Sequence, residues 1–306
     1  MKGWLFFFLF PLLLMGAEEK RGVFVPHCEQ GDSYISGDGF KEICDFAYDK
    51  TNSFDPLLVR EGELVFVDRD MLRSFFSKVH PRISHRYILV THNGGYRKGG
   101  SIPGPYYLFL NDEKIIAWFG SNPTLKHPKL VGLPLGLESS LWKDGNINFY
   151  YDAIAKAPQV RKHLLYVNFS LKNDPLLRLP VFFSFADKPF CCVANENGFI
   201  NYLQGISESK FILCPPSKSG DSFRVWEALI LGSIPIVQSS VLDELYAQLP
   251  VVIIQEWSEI TEEFLENKYQ EMGKKQFSYQ KLFASYWKKR IQEFSHRKAV
   301  AKGASL

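Results

Sequence analysis

From about residue 60 the chain alternates short, continuous apolar runs with amphipathic stretches. ELVFVD (63–68), YILVT (87–91), KIIAWF (114–119) and LVGLP (130–134) predict strands, with a helix over 71–79 between the first two. A second series follows at 163–169, 190–194, 211–214, 234–237 and 251–254, with helical stretches between its members. Runs without alternation predict strands covered on both faces, as in parallel sheets. Two successive β/α series predict an α/β fold of two Rossmann-like, doubly wound domains facing a cleft. The polar and aromatic segment 142–158 reads as the hinge, which divides the chain into 18–150 and 151–306. Beyond Ser258 the sequence reads helical almost to its end.

Composition narrows the class. Of 306 residues, 46% are hydrophobic and 23% charged, which excludes wholesale disorder. Thirty-six Lys and Arg against 33 Asp and Glu leave a net charge of +3, so nucleic acid is not an expected partner. Five cysteines are too few for a disulfide scaffold, and no Cys-x-x-Cys or His-x-x-x-His spacing marks a metal site.

The first residues stand apart from the fold. Lys2 precedes an uncharged stretch, WLFFFLFPLLLM (4–15), and Gly16-Ala17 then leads into Glu18-Glu19-Lys20-Arg21. The run is shorter than the ~20 residues of a bilayer span, so 1–17 reads as a secretory signal peptide. Met15 fits poorly at the third position before a cut, which keeps an uncleaved anchor as the alternative. Either reading places the chain in a secretory lumen, a periplasm or an envelope. Export would permit a disulfide, and Cys28 with Cys44 is the pair to test. Cys191, Cys192 and Cys214 lie in apolar runs and read as small buried hydrophobes. Lys288-Lys289-Arg290, with Arg297 and Lys298, reads as a solvated helix face; docking on an anionic membrane or glycan is the alternative.

The chemistry concentrates in SKFILCPPSKSGDSFRVWEALILGSIPIV (209–237). It predicts a strand (211–214), a Ser/Gly-rich loop (215–220), a helix (222–231) closed by Gly232 and a further strand (234–237). Asp221 and Ser222 are N-cap candidates. A loop of this kind aims backbone N–H groups and the positive end of a helix at an anion such as phosphate. The helix is apolar nearly all round, so it should be buried. Its only charges, Arg224 and Glu227, share one face at i and i+3. A buried cation in a first turn opposes the helix dipole and needs an anionic partner. That partner is either Glu227, in a plain structural ion pair, or a bound diphosphate, with Glu227 then accepting from a sugar hydroxyl.

The segment resembles the donor-binding half of exostosin-type glycosyltransferases. The residues that carry the resemblance are Ser209-Lys210-Phe211, Leu213, Pro215, Ser222, Arg224-Val225-Trp226-Glu227-Ala228, Gly232 and Ile234-Pro235-Ile236-Val237. The resemblance implies a GT-B architecture with a nucleotide-sugar donor on the C-terminal domain and a glycan or glycoconjugate acceptor on the N-terminal one. It implies Arg224 at the diphosphate, Glu227 at the ribose or sugar, and Gly220 and Ser222 in the phosphate loop. Inversion at the anomeric carbon is the implied outcome.

Earlier in the chain a looser pattern places polar residues just after strands: Thr91-His92-Asn93, Ser121-Asn122 and the LPLGL stretch (133–137). Ligands of open α/β sheets sit at such strand ends, so His92, Asn93 and Asn122 are expected to face the cleft. The candidates for the base on the acceptor hydroxyl are His92, Asp68 and Glu138. No Asp-x-Asp stands out, and Arg224 with a helix start would neutralise the leaving group, so no metal or other cofactor is expected. The alternatives are a catalytically inactive glycan-binding or envelope structural protein that keeps the fold, and a two-domain small-molecule receptor.

Overall fold

In the first sheet, β1 (Phe46–Tyr48), β2 (Leu64–Asp68), β3 (Tyr87–His92), β4 (Ile115–Ser121) and β5 (Leu130–Leu133) run parallel in the order 1-2-3-4-5. The computed structural model describes residues 32–94, 102, 104–140, 144–194, 198–216 and 220–303, without the side chains of 295–303. The 1–17 leader, Cys28 and hence its pairing with Cys44 lie outside the described residues.

Successive side chains of a strand point to opposite faces, and both faces here are apolar. Phe66, Ile88, Val90 and Phe119 enter a core shared with the second half. Val65, Val67, Leu89 and Trp118 fill a separate core on the other face. Full burial of each such side chain is worth roughly 1.5–3 kcal/mol, so the double covering explains why these runs do not alternate. The stretch expected as one helix is broken instead. It passes through a 3-10 turn (Arg69–Met71), the single turn α2 (Leu72–Ser74), a widened π turn (Phe75–Val79) and another 3-10 turn (His80–Arg82). This path buries Phe75, Phe76 and Val79 together, and Pro81 removes the amide a longer helix would need. The short strand β1 and the helix α1 (Gly37–Glu42) had no clear signal in the pattern.

The second sheet is also parallel, with β6 (His163–Val167), β7 (Cys191–Val193), β8 (Ser209–Leu213), β9 (Ile234–Gln238) and β10 (Val252–Ile254) in the order 10-9-8-6-7. Its helices are α4 (Pro175–Phe185), α5 (Phe199–Ser207), α6 (Phe223–Ile230), α7 (Asp243–Tyr246) and α8 (Glu262–Met272). The expected α/β class with two β/α sheets is therefore present. The sheets differ in one respect that matters for function. The first adds strands in sequence, whereas the second reverses: β7 lies on one side of β6 and β8 on the other. The gap between the carboxyl ends of β6 and β8 is the kind of switch point where open sheets bind ligands.

The expected hinge is partly helical. Residues after Asn146 form α3 (Ile147–Ala155), capped by the Asn146 side chain and fixed by the fully buried Tyr150. The chain end crosses back to the first sheet. Ile35 N–H donates to the Leu282 carbonyl at 2.9 Å, and Phe294 of α9 (Ala284–Gly303) meets Phe119 of β4 edge to face. The sequence division places this helix with the second half, but these contacts are with the first. Lys288, Lys289 and Arg290 are exposed on it. Among the described residues, no helix is long and apolar enough to cross a membrane.

Candidate functional site

Helix α6 starts at the expected place, and its neighbours give each polar group a distinct role. Val225, Trp226, Ala228, Leu229 and Ile230 are buried, which fixes the rotation of the helix and leaves Arg224 and Glu227 toward the switch point. Arg224 is half-buried rather than buried. Its Nε donates to the Asn168 carbonyl just after β6 at 2.9 Å, and its guanidinium lies 5.8 Å from the Phe169 ring and 5.9 Å from the Tyr202 ring. The Nη groups of Arg224 have no partner among the described residues.

Glu227 does not pair with Arg224, so the plain ion pair considered from the sequence is absent. Its carboxylate accepts instead from Tyr202 Oη at 2.6 Å and from Tyr150 Oη at 3.1 Å. A carboxylate offers about four lone-pair positions, so two remain. Burial raises its proton affinity, and the tyrosine hydrogen bonds and Arg224 oppose that rise.

The loop before the helix differs from expectation. Gly220 adopts φ +90, and a Cβ there would sit 3.0 Å from Leu242 Cδ1, so the turn requires glycine. Ser222 is the N-cap residue, yet its hydroxyl makes no capping bond. Two helix-start amides expected for phosphate are already engaged: Asp221 N–H donates to Asn122 Oδ1 and Ser222 N–H to Asp221 Oδ1, each at 2.9 Å. The amides of Phe223 and Arg224, in the first turn, have no backbone partner among the described residues, as at any helix start.

Asp221 is the joint between the halves. Its buried carboxylate accepts from Leu135 N–H of the first half at 2.9 Å, from Trp226 Nε1 at 2.7 Å and from Tyr246 Oη at 2.9 Å. Burial pushes the carboxyl up to about 6 despite these bonds. Asn122, at the end of β4, returns the connection through Asp221 N–H. It is held at φ +53, and its Nδ2 is buried without a partner among the described residues. Asn122 therefore works on the loop of the second half.

The three base candidates lie in different surroundings. His92 is buried, stacked on Phe40 at 5.3 Å, and donates from Nε2 to the Pro134 carbonyl at 2.9 Å. Its Nδ1 accepts from Asn93 N–H at 2.8 Å. Both ring nitrogens are engaged, and burial with the nearby Arg69 pushes the ring down to about 4. His92 thus has no lone pair for an acceptor proton and holds the β3 end in place. Asp68 caps the turn after β2 by accepting from Asp70 N–H at 2.8 Å, and it lies against Gly94. Glu138 is half-buried after β5. Burial raises its carboxyl, and the negative charges of Glu227 and Asp144 raise it further. Of the three, Glu138 is the one whose charge feels the donor-side carboxylate.

Asn93 takes φ +54, its carbonyl accepts from Arg69 Nε at 2.6 Å, and its side chain lies against Gly37 at the start of α1. Four residues that the sequence did not single out complete the site: Tyr150, Tyr202, Asn168 and Arg178. Tyrosines in apolar helices read as core, and nothing in their spacing announces a carboxylate partner. Arg178 left a fainter trace, as the lone charge in PLLRLPVFFSF.

No protein-family model matches the chain, and no curated protein matches it. Among solved structures it is similar to the pneumococcal O-GlcNAc transferase GtfA, determined in complex with UDP and GlcNAc. The TM-score is 0.33 at 16% identity, and the match covers 78% of this chain and 58% of that one.

Proposed function

We propose that the protein is a glycosyltransferase of exostosin-like type. It would move a sugar from a nucleoside diphosphate donor, held by the second half, to a glycan or glycoconjugate acceptor presented by the first. One observation carries this reading. At the switch point of the second sheet, a guanidinium whose Nη groups have no partner among the described residues and a buried carboxylate with two partners among them lie one helical turn apart at a helix start. Diphosphate and sugar hydroxyls are the ligand groups that this pair fits. The resemblance over 209–237 points the same way.

Glu138 takes the proton of the acceptor hydroxyl, its raised carboxyl making it the stronger base. The acceptor oxygen attacks the anomeric carbon as the bond to the diphosphate oxygen breaks, and the configuration inverts. The electron pair leaves on the diphosphate, where Arg224 and the start of α6 neutralise it, so the step needs no metal. Glu227 holds a ribose or sugar hydroxyl. An exported or membrane-associated setting is part of this reading, and the apolar 4–15 run, read as signal or anchor, supports it.

Incubation with a panel of nucleotide sugars, following binding and release of free nucleotide together, tests the reading. Binding with release supports it. Binding without turnover in the presence of varied acceptors favours an inactive glycan-binding or envelope role, and no binding rejects the reading.

A further inference from the structure

Two buried arginines of the second half have opposite surroundings. Arg161 donates to the carbonyls of Ile206, Ser207, Ser209 and Leu231 and to Ser233 Oγ, at 2.6 to 3.0 Å. Several of these acceptors lie where α5 and α6 end, and a cation complements a helix there. Its charge is explained by the fold.

Arg178 is not explained in that way. It is 2% exposed and stands in the first turn and a half of α4, where the dipole disfavours a cation. It makes no ion pair among the described residues, and Asp174, the N-cap residue of α4, is turned to the Leu177 N–H. Its guanidinium reaches across the switch point: Nη1 donates to the Ser170 carbonyl at 2.8 Å, Nε to Pro216 at 3.2 Å and Nη2 to Pro215 at 3.5 Å. The first acceptor follows β6 and the other two follow β8, so one side chain ties together the two turns that border the site. It also lies 5.9 Å from the Phe169 ring, the same ring that Arg224 approaches at 5.8 Å. Burial, and then the charge of Arg224, hold Arg178 down to about 10 although Asp174 opposes the fall, so the two cations sense each other.

We propose that Arg178 is a positioning residue of the donor site. It fixes the turns after β6 and β8 and adds the second cation that makes the site prefer a diphosphate to a monophosphate. The inference rests on the nucleotide-sugar reading above and goes beyond it by assigning phosphate-number selectivity to a side chain whose three nitrogens each donate to a backbone carbonyl.

The test is calorimetric titration of the full protein with UDP, GDP and CDP and with the matching monophosphates. For the best-bound base, the wild type should favour the diphosphate by about tenfold or more, the scale of one charge-assisted contact. Arg178→Met should abolish most of that ratio. Arg178→Lys, which keeps the cation but loses the planar fork, should retain part of it. Arg161→Lys is the control for a purely structural arginine and should lower the melting temperature without moving the ratio. If Arg178→Met does not fold, Arg178→Lys decides. A folded Arg178 variant with the wild-type ratio overturns the inference while leaving the donor reading intact, provided Arg224→Ala weakens binding. A wild-type protein that binds none of these nucleotides overturns both.

Discussion

The carboxyl ends of the two sheets carry similar residue types and use them differently. At the first sheet, Asp68 caps a turn, both nitrogens of His92 are bonded to backbone, and Asn122 is committed to the opposite half. At the second, among the described residues, the Arg224 Nη groups have no partner and Glu227 uses about half its acceptor capacity. The strand order explains the difference. Sequential strands leave no crevice between neighbouring crossovers, so polar groups at their ends are consumed in holding loops. A reversal between β6 and β8 makes a crevice of the kind where open sheets bind ligands. Polarity at a strand end is therefore a weak sign of function, and spare hydrogen-bonding capacity at a switch point is a stronger one.

Glu138 is the exception on the first side, and removing it should have the largest effect. Glu138→Gln should slow transfer by roughly 10²–10⁴-fold, the scale of a lost general base, while nucleotide affinity stays near wild type. The pH profile of kcat/KM sharpens the point. Because the carboxyl of Glu138 is raised, the acid limb should lie above the ordinary carboxylate range and vanish with the variant. An acid limb unmoved in Glu138→Gln would return the role to Asp68.

The joint between the halves comes next. Asp221→Ala strands donors from both sides, Leu135 N–H, Trp226 Nε1 and Tyr246 Oη among them, and should cost on the order of 3–5 kcal/mol in denaturant unfolding. Its pH dependence has a definite sign. The carboxyl stands near 6 in the folded chain against 3.8 ordinarily, so the folded state binds the proton more tightly. The contribution of this group favours folding fully below about 4 and is lost as pH rises through about 6. Asp221→Asn should remove that part of the slope.

Much of the architecture was legible because continuous apolar runs leave few alternatives to covered parallel strands. The 209–237 segment was legible because a charged pair on an otherwise apolar helix has to be explained by something outside the helix. What the sequence hid was partnership over distance. Tyr202 and Tyr150 reach Glu227 from other helices, 25 and 77 residues away in the chain. Asp221 looks like an N-cap in sequence, but Leu135, 86 residues earlier, draws its carboxylate to the other half. His92 shows the converse, since its place at a strand end suggests chemistry while its burial and its two bonds to backbone fit packing.

The smallest effects test the inert side of the comparison. His92→Phe keeps the stack on Phe40 and loses two hydrogen bonds, so it should lower stability by about 1–3 kcal/mol and leave the acid limb where it is. A shift of that limb would restore His92 as the base. Chelation of divalent metal should leave transfer unchanged if, as proposed, Arg224 and the α6 start carry the leaving charge; a loss of transfer restored by added metal would contradict this.

The central claim is that the Nη groups of Arg224 bind a diphosphate, and nucleoside diphosphate affinity of Arg224→Ala, measured beside its melting temperature, tests it most directly. The account predicts a folded protein whose affinity falls about ten- to a hundredfold, the equivalent of a charge-assisted contact of roughly 1.5–3 kcal/mol. A folded Arg224→Ala protein that binds the nucleotide as tightly as the wild type would contradict it.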